Sequence, residues 1–275
     1  MPPVEHRIAL SSIRAPKIGR RDEKDEPFAF EAREFLRSRL IGRKVNVGID
    51  YMRALPNSAT GETERIFASV LEGGANNVAI ALVANGFASV MKHRQDDQDR
   101  SLYYDDLIQA EAAASRDKKG LHSDKKPPPR NINDVSTASA LAQAKQMFGF
   151  LQRAGSMKGV VQHVVNGARY KVLIPSQTAI VTLALAGIRC PQTGRKDGEP
   201  GEPYGEEAYM FARDKCLQHD VEVEILAQDK VGAMIGRLKL HNKCMASILL
   251  ENGYARMTGR DVTNEMESAQ EVIGP

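Results

Sequence analysis

The sequence predicts an α+β chain, mainly β, folded as two tandem small barrels of which the first lacks its opening hairpin. Three observations predict it. The chain repeats itself, both copies run through strands and helices in one order, and a Pro/Lys-rich stretch separates them. At 275 residues there is room for one large domain or two small ones. Hydrophobic residues make up 42%, enough for packed cores, but aromatics are only 5% and tryptophan is absent. The cores must therefore be built from Leu, Ile, Val, Ala and Met.

The first copy opens with one strand, His6 to Ile13, ending in Ile13-Arg14-Ala15-Pro16. A helical stretch follows from Phe28 to Leu40, and Val45-Asn46-Val47-Gly48-Ile49 then alternates as a strand does. Leu82-Val83-Ala84-Asn85-Gly86-Phe87-Ala88 marks a short helix and its exit, and a long helix, Asp99 to Lys118, closes the copy before Gly120. No hairpin is present ahead of the first strand. A preceding segment is expected to supply it, or it has been removed.

Residues 123–137 form the spacer, with Lys125-Lys126-Pro127-Pro128-Pro129-Arg130. Consecutive prolines cannot continue a helix and favour an extended chain. A helix from Ala138 to Leu151 is expected to pack between domains.

The second copy begins with two apolar runs, residues 159–165 and 169–175, turning at Asn166-Gly167, a strong hairpin signal. Ile188-Arg189-Cys190-Pro191, the helix Tyr204 to Leu217, the strand Val221-Glu222-Val223-Glu224-Ile225, and Leu249-Leu250-Glu251-Asn252-Gly253-Tyr254-Ala255 then repeat the first copy in order. After these, residues 264–272 are the last stretch with helical character. Short strands have edges that must be paired or covered, and closing them with a helix after the third strand and another at the end describes an OB-type barrel. The expected domains are residues 1–122 and 138–275.

A net charge of +3 and a pI near 8.7 are only mildly basic. The placement of charge, rather than its sum, has to decide whether nucleic acid is a partner. Cys190, Cys216 and Cys244 show no C-x-x-C spacing, which excludes a zinc ribbon and a disulfide framework and points to a reducing compartment, cytosol or nucleus. No 18-residue apolar run is present, and the start has no apolar signal-peptide core, so no membrane is expected as a partner.

Several long stretches carry a resemblance. They are Leu10-Ser11-Ser12-Ile13-Arg14-Ala15-Pro16, Phe30-Glu31-Ala32-Arg33-Glu34-Phe35-Leu36-Arg37, Arg94-Gln95-Asp96-Asp97-Gln98-Asp99-Arg100-Ser101 and Lys119-Gly120-Leu121-His122-Ser123. Phe150-Leu151-Gln152-Arg153-Ala154-Gly155 and Gly201-Glu202-Pro203-Tyr204-Gly205-Glu206-Glu207-Ala208 extend it. Together they resemble the third and fourth nuclease-like domains of the Tudor staphylococcal nuclease family, from about residue 6 to about residue 258. The resemblance implies two staphylococcal-nuclease-like OB folds. It also implies an RNA-binding scaffold, with double-stranded RNA and the proteins of RNA-silencing or transcription complexes as partners. A calcium-dependent ribonuclease acting on hyper-edited double-stranded RNA is implied as well. The family's Tudor domain is not found in the chain, which is expected to be a fragment or a shortened member, monomeric, in cytoplasm and nucleus.

Phosphodiester hydrolysis in this fold needs carboxylates for calcium, a general base to activate water and arginines to clamp the phosphate. In the second copy the metal aspartates fall on Ala168 and Arg189, the base on Gln192 and the arginines on Ala184 and Ala233. In the first copy Ala9, Arg14 and Lys17 stand at the arginine, aspartate and glutamate positions. Arg65, within about one residue of the second arginine position, is the only catalytic candidate. No metal or other cofactor is expected, calcium entering only with the ribonuclease alternative.

Arg14 and Arg189 therefore have two readings. Each contacts phosphate directly where the enzyme uses a metal, or each pairs with a carboxylate and closes the barrel mouth. Lys17, Arg20 and Arg21 follow the third strand of copy one, and Arg195 and Lys196 follow that of copy two, at the end of an OB barrel that lines its ligand face. Arg169 and Lys171 lie two apart on the second hairpin and share a face. Arg65 completes the nucleic-acid-binding set. Tyr103, Tyr104, Tyr170 and Tyr204 are the aromatics able to stack on bases, against a default of half-buried packing. Asp96-Asp97-Gln98-Asp99 reads as a helix cap before it reads as a calcium site, and residues 22–26 as an acidic loop screening the basic one beside it. The expected function is RNA binding without hydrolysis, with a ribonuclease and a protein-interaction module as alternatives.

Overall fold

The computed structural model describes residues 4–19, 23–54, 64–94, 97–128, 132–194 and 200–259. The chain divides into two compact units, residues 1–130 and 131–275.

In the first unit β1 (Ile8–Leu10) and β2 (Ile13–Arg14) precede α1 (Ala29–Leu40). Then come β3 (Val45–Ala54), β4 (Glu64–Glu72), β5 (Asn76–Asn77), α2 (Val78–Ala84), β6 (Ser89–Val90) and α3 (Tyr104–Arg116). Its sheet runs β1-β4-β3, with β1 parallel to β4 and β3 antiparallel to it. The Asn77 side chain accepts from the Ala79 and Ile80 amides and starts α2, satisfying donors the helix itself cannot. Leu82, Val83 and Leu107 then form the core between α2 and α3.

In the second unit β7 (Asn133–Asp134) leads through a 3₁₀ turn to α4 (Leu141–Arg153). There follow β8 (Ser156–Asn166), β9 (Arg169–Ile174), β10 (Ala179–Leu185), β11 (Ile188–Arg189) and α5 (Gly205–Cys216). The unit finishes with β12 (Asp220–Gln228), β13 (Met234–Leu240), β14 (Lys243–Cys244), α6 (Met245–Glu251) and β15 (Arg256–Met257). Strands β13-β12-β8-β9-β10 lie side by side, and β10 pairs back onto β13, which closes a five-stranded barrel. Strand β10 alternates buried and half-buried residues, so Val181, Leu183 and Leu185 fill the barrel with Val223, Ile225 and Leu249. The mixed α/β architecture with an OB barrel is thus present as the sequence predicts.

The repeat extends to local geometry. Phe28 and Tyr204 both take left-handed backbone, φ 66° and 64°, to start α1 and α5. Strands β3 and β12 each carry one extra residue in pairing, between Ile49 and Tyr51 and between Ile225 and Ala227.

Three local expectations change. The β8–β9 loop is Gly167-Ala168, because Asn166 still pairs with Arg169. The Asn166 side chain accepts from the Ala168 amide, and neither loop residue has positive φ. Gly167 is needed for close approach instead. A Cβ there would lie 3.0 Å from the Cys190 Cβ and Sγ and 3.2 Å from the Ala208 Cβ. Second, α3 starts at Tyr104 rather than Asp99, since Asp97 pairs with His93 at 3.0 Å and Asp99 with Arg53 at 3.0 Å. Asp97 thus holds its own loop, Asp99 ties that loop to β3, and neither caps the helix. Third, Asn133 and Asp134 of the spacer pair with β10, and Val135 is buried in the second unit's core. Helix α4 packs on β12 of that unit, burying Ala144 and Leu151, and Gln152 Nε2 donates to the Leu226 carbonyl at 2.8 Å.

Candidate nucleic-acid interface

In the second unit a pocket of about 380 Å³ opens beside the β8–β9 loop and the end of β10. Ala168, Arg169, Ala184, Arg189 and Gln192 line it, with Asn166 at its rim. Four of the positions compared with nuclease chemistry, Ala168, Ala184, Arg189 and Gln192, thus meet in one cavity. Ala233 does not line it.

Strand geometry places each side chain. Tyr170 points into the barrel and is fully buried, so Arg169 and Lys171 on either side point out. Arg169 reaches the pocket and approaches Asp229 at 3.8 Å. Lys171 pairs across to Thr182 and His163 and does not line it. Strand β11 presents Arg189 opposite Arg256 of β15. A second hollow of about 440 Å³ on that side shares Arg189 and adds Arg256, Tyr254 and Glu202.

The Arg189 guanidinium donates to Glu202 Oε1 at 2.8 Å, and the Gln192 amide donates to Glu202 Oε2 at 2.9 Å. That amide bond, with Arg189 beside it, holds the Glu202 carboxyl below the usual carboxylate range. The Gln192 side chain accepts from Asn166 Nδ2 at 3.3 Å, which ties the residue at the base position to the hairpin. Of the two readings of Arg189, the carboxylate pair is the one seen, yet the guanidinium remains about half exposed at the pocket wall.

These residues do not fit calcium. An ion of that kind takes six to eight oxygens, mostly carboxylate. Here the pocket offers two guanidinium groups, methyl groups and amides, and the nearby carboxylates Glu202 and Asp229 face arginines. Among the described residues no group of three or more His, Cys, Asp or Glu side chains is placed to hold a metal.

The first unit positions its cations differently. Parallel pairing matches Ile8 with Ile66, as Leu183 matches Met234, so Arg65 stands where the second unit has Ala233. Arg65 lies opposite Arg53 and is exposed. Arg53 sits over the Tyr51 and Phe67 rings, 5.2 and 5.7 Å from their centroids. Arg14 is exposed on β2. Lys17 pairs with Glu23 at 3.1 Å, its amide donates to Glu26, and the Gly19 amide donates to Asp25. Among the described residues, Glu23, Asp25 and Glu26 thus fold onto Lys17 and Gly19. Arg20, Arg21, Arg195 and Lys196 lie outside the described residues.

Two aromatic candidates separate by burial. Tyr170 is fully buried and donates to the Gly167 carbonyl, so it is unavailable for stacking. Tyr204 is 69% exposed at the start of α5. Tyr104 is half-buried, and its hydroxyl accepts from the His93 amide. Sequence reasoning passed over Arg256. Its signal was faint, because only the β11–β15 pairing brings it beside Arg189.

Comparison with known proteins follows the same lines. The family model described as staphylococcal nuclease homologue matches residues 7–124 and 182–272. The chain is 38% identical to Ribonuclease TUDOR 1 of Arabidopsis thaliana, over 93% of this chain and 28% of that protein. It is 38% identical to Staphylococcal nuclease domain-containing protein 1 of Schizosaccharomyces pombe, over 97% of this chain and 30% of that protein. Against the protein of that name from Drosophila melanogaster the identity is 36%, over 93% and 29%. The chain spans less than a third of the length of these relatives.

Proposed function

The chain belongs to the staphylococcal nuclease homologue family, in its Tudor staphylococcal nuclease branch, and from that premise we propose that it is an RNA-binding segment whose nuclease sites have lost their hydrolytic groups. One observation carries this reading: the pocket where a nuclease of this fold holds metal and base is lined by Ala168, Arg189 and Gln192. Alanine offers no side-chain ligand, and a neutral glutamine amide supplies neither the carboxylate charge a calcium site relies on nor a base for water. The arginines repel a metal and offer planar, charge-assisted donors to a phosphate.

The binding mode follows from the charges. A phosphate oxygen entering the pocket meets Arg169 and Arg189, each facing a partly exposed carboxylate. Ion pairs of that kind contribute little and exchange readily, so the phosphate competes with Glu202 and Asp229 for the guanidinium groups. Recognition through phosphate carries little sequence information. Double-stranded RNA is the proposed ligand, and silencing or transcription complexes in cytoplasm or nucleus are the proposed setting.

The name of the Arabidopsis relative, Ribonuclease TUDOR 1, supports a second reading, ribonuclease activity. One titration separates the two. Labelled single- and double-stranded RNA is mixed with the chain at two salt concentrations, with calcium or with chelator. Intact RNA bound with a steep salt dependence, regardless of calcium, is the expected result. Calcium-dependent cleavage by the pure chain would overturn the proposal. Absence of RNA binding at low salt would leave the third class, a protein-interaction module.

A further inference from the structure

Two arginines face each other across the β11–β15 pair, Arg189 directly opposite Arg256. Like charges in that position repel. The corresponding β2–β6 pair of the first unit sets Arg14 opposite Ser89 instead. In the second unit Glu202 offsets part of the charge. It binds Arg189 at 2.8 Å, and Arg256 also helps to hold its carboxyl below the usual range. One negative charge against two positive ones leaves an excess of positive charge in the lining of the hollow of about 440 Å³. Much of the remaining lining is apolar and flat-faced: Pro191, Pro203 and Tyr254, with Ala255 beside them. Tyr254 is half-buried, and its ring packs on Phe211 with centroids 4.9 Å apart. A phosphate alone needs donors and no apolar wall. A planar base alone needs walls and no pair of guanidinium groups. The two together suit a nucleotide, and the volume falls in the range of about 300–1,000 Å³ typical of small-ligand sites.

We propose that this hollow receives one unpaired nucleotide of an RNA strand, its base against Pro191, Pro203 and Tyr254 and its phosphate on Arg256. The site rests on the RNA-binding reading above and deepens it. Arg189 lines both cavities, so a strand with one phosphate at Arg169 and Arg189 carries its neighbouring nucleotide to the hollow. A base inside a duplex is stacked and paired, and its faces are not available. A bulged or overhanging base can turn out and pack on side chains. Packing of this kind tolerates any base, so the hollow selects for an unpaired nucleotide and not for its identity. The first unit, with Ser89 where the second has Arg256, lacks the second cation at this place.

Two labelled RNA duplexes of equal length test this, one fully paired and one with a single bulged uridine. Each is titrated by fluorescence anisotropy, at one salt concentration, against the full chain and its Arg256→Ala and Arg169→Ala variants. Arg256 is exposed, so its removal leaves the fold intact. The bulged duplex is expected to bind at least about 5-fold more tightly than the paired one. Arg256→Ala should abolish that ratio and leave the paired duplex within about 2-fold of its original affinity. Arg169→Ala should weaken both duplexes alike and keep the ratio. Equal affinities of the chain for the two duplexes overturn the proposal and leave RNA binding standing. A ratio lost in Arg169→Ala and kept in Arg256→Ala also overturns it, and assigns the base to the other pocket. Binding of neither duplex at low salt overturns this site and the RNA-binding reading together.

Discussion

Arg189 and Gln192 share one carboxylate: Glu202 receives the guanidinium on one oxygen at 2.8 Å and the backbone amide on the other at 2.9 Å. The pair brackets the position where a nuclease of this fold would hold metal and base. Glu202 therefore acts as a clamp on the loop after β11 and as a competitor for any phosphate that approaches Arg189.

Removing that competitor should strengthen RNA binding, and removing the arginine should weaken it. Glu202→Gln is expected to raise affinity at low salt a few-fold, and Arg189→Ala to lower it about 5- to 10-fold and reduce the salt slope by about 1. Fluorescence anisotropy over a salt series reads both. Equal affinities for the two variants would show that RNA passes the pocket by.

The same carboxylate makes a pH prediction. Its folded value lies below its ordinary value of 4.5, chiefly through the Gln192 amide and then through Arg189. Its contribution to stability is therefore complete above the unfolded value and is lost as pH falls through the lowered folded value. Thermal melts of the chain and of Glu202→Gln should differ at neutral pH and converge as pH falls through the lowered folded value.

Calcium should leave the fold and the binding unchanged. Millimolar calcium against chelator is expected to shift the melting temperature by less than about 1 °C, since a ligand stabilises only through binding the native state. A calcium-dependent rise of several degrees, abolished by Glu202→Gln, would contradict the assignment of these carboxylates to arginine.

The cysteines should be inert until the second unit unfolds. Burial pushes the Cys190 and Cys216 thiols up to about 12, and both lie in the second unit's hydrophobic core. Iodoacetamide at pH 8 is expected to leave them unmodified in the native chain and to label them in denaturant, as mass spectrometry of the peptides would show. The thiolate is the reactive form, and burial suppresses it.

Tyr170 should act through stability rather than RNA contact. Tyr170→Phe removes the donor to the Gly167 carbonyl and leaves that acceptor without its partner, at a cost on the order of 1–2 kcal/mol. A urea melt reads the loss, and RNA affinity measured well below the transition should not move. Tyr204→Ala, on an exposed side chain, should leave the melt alone.

Much of this protein follows from local order in the sequence. Alternation in Val45-Asn46-Val47-Gly48-Ile49 and Val221-Glu222-Val223-Glu224-Ile225 marks equivalent strands, because side chains change face at every residue. The family resemblance sets Ala168, Ala184, Arg189 and Gln192 against nuclease groups, and the fold brings these four into one pocket. Other features depend on residues far apart in the chain. The spacing of Asp97 and Asp99 suits a helix cap, but His93 and Arg53 claim them once the sheet is formed. Asn166-Gly167 favours a left-handed turn, but Asn166 stays paired with Arg169, so the loop falls one residue later, at Gly167-Ala168.

The sequence alone determined the repeat and the strand alternation, because these are matters of order along one line. Only the tertiary structure decided which charges face which. Glu202 is thirteen residues from Arg189, and Arg256 is farther still, yet β11, β15 and the start of α5 bring all three together. It also decided that Tyr170 is inside and Val47 and Ile49 are outside, because burial is settled by which neighbouring strands are present, and no single strand specifies its neighbours.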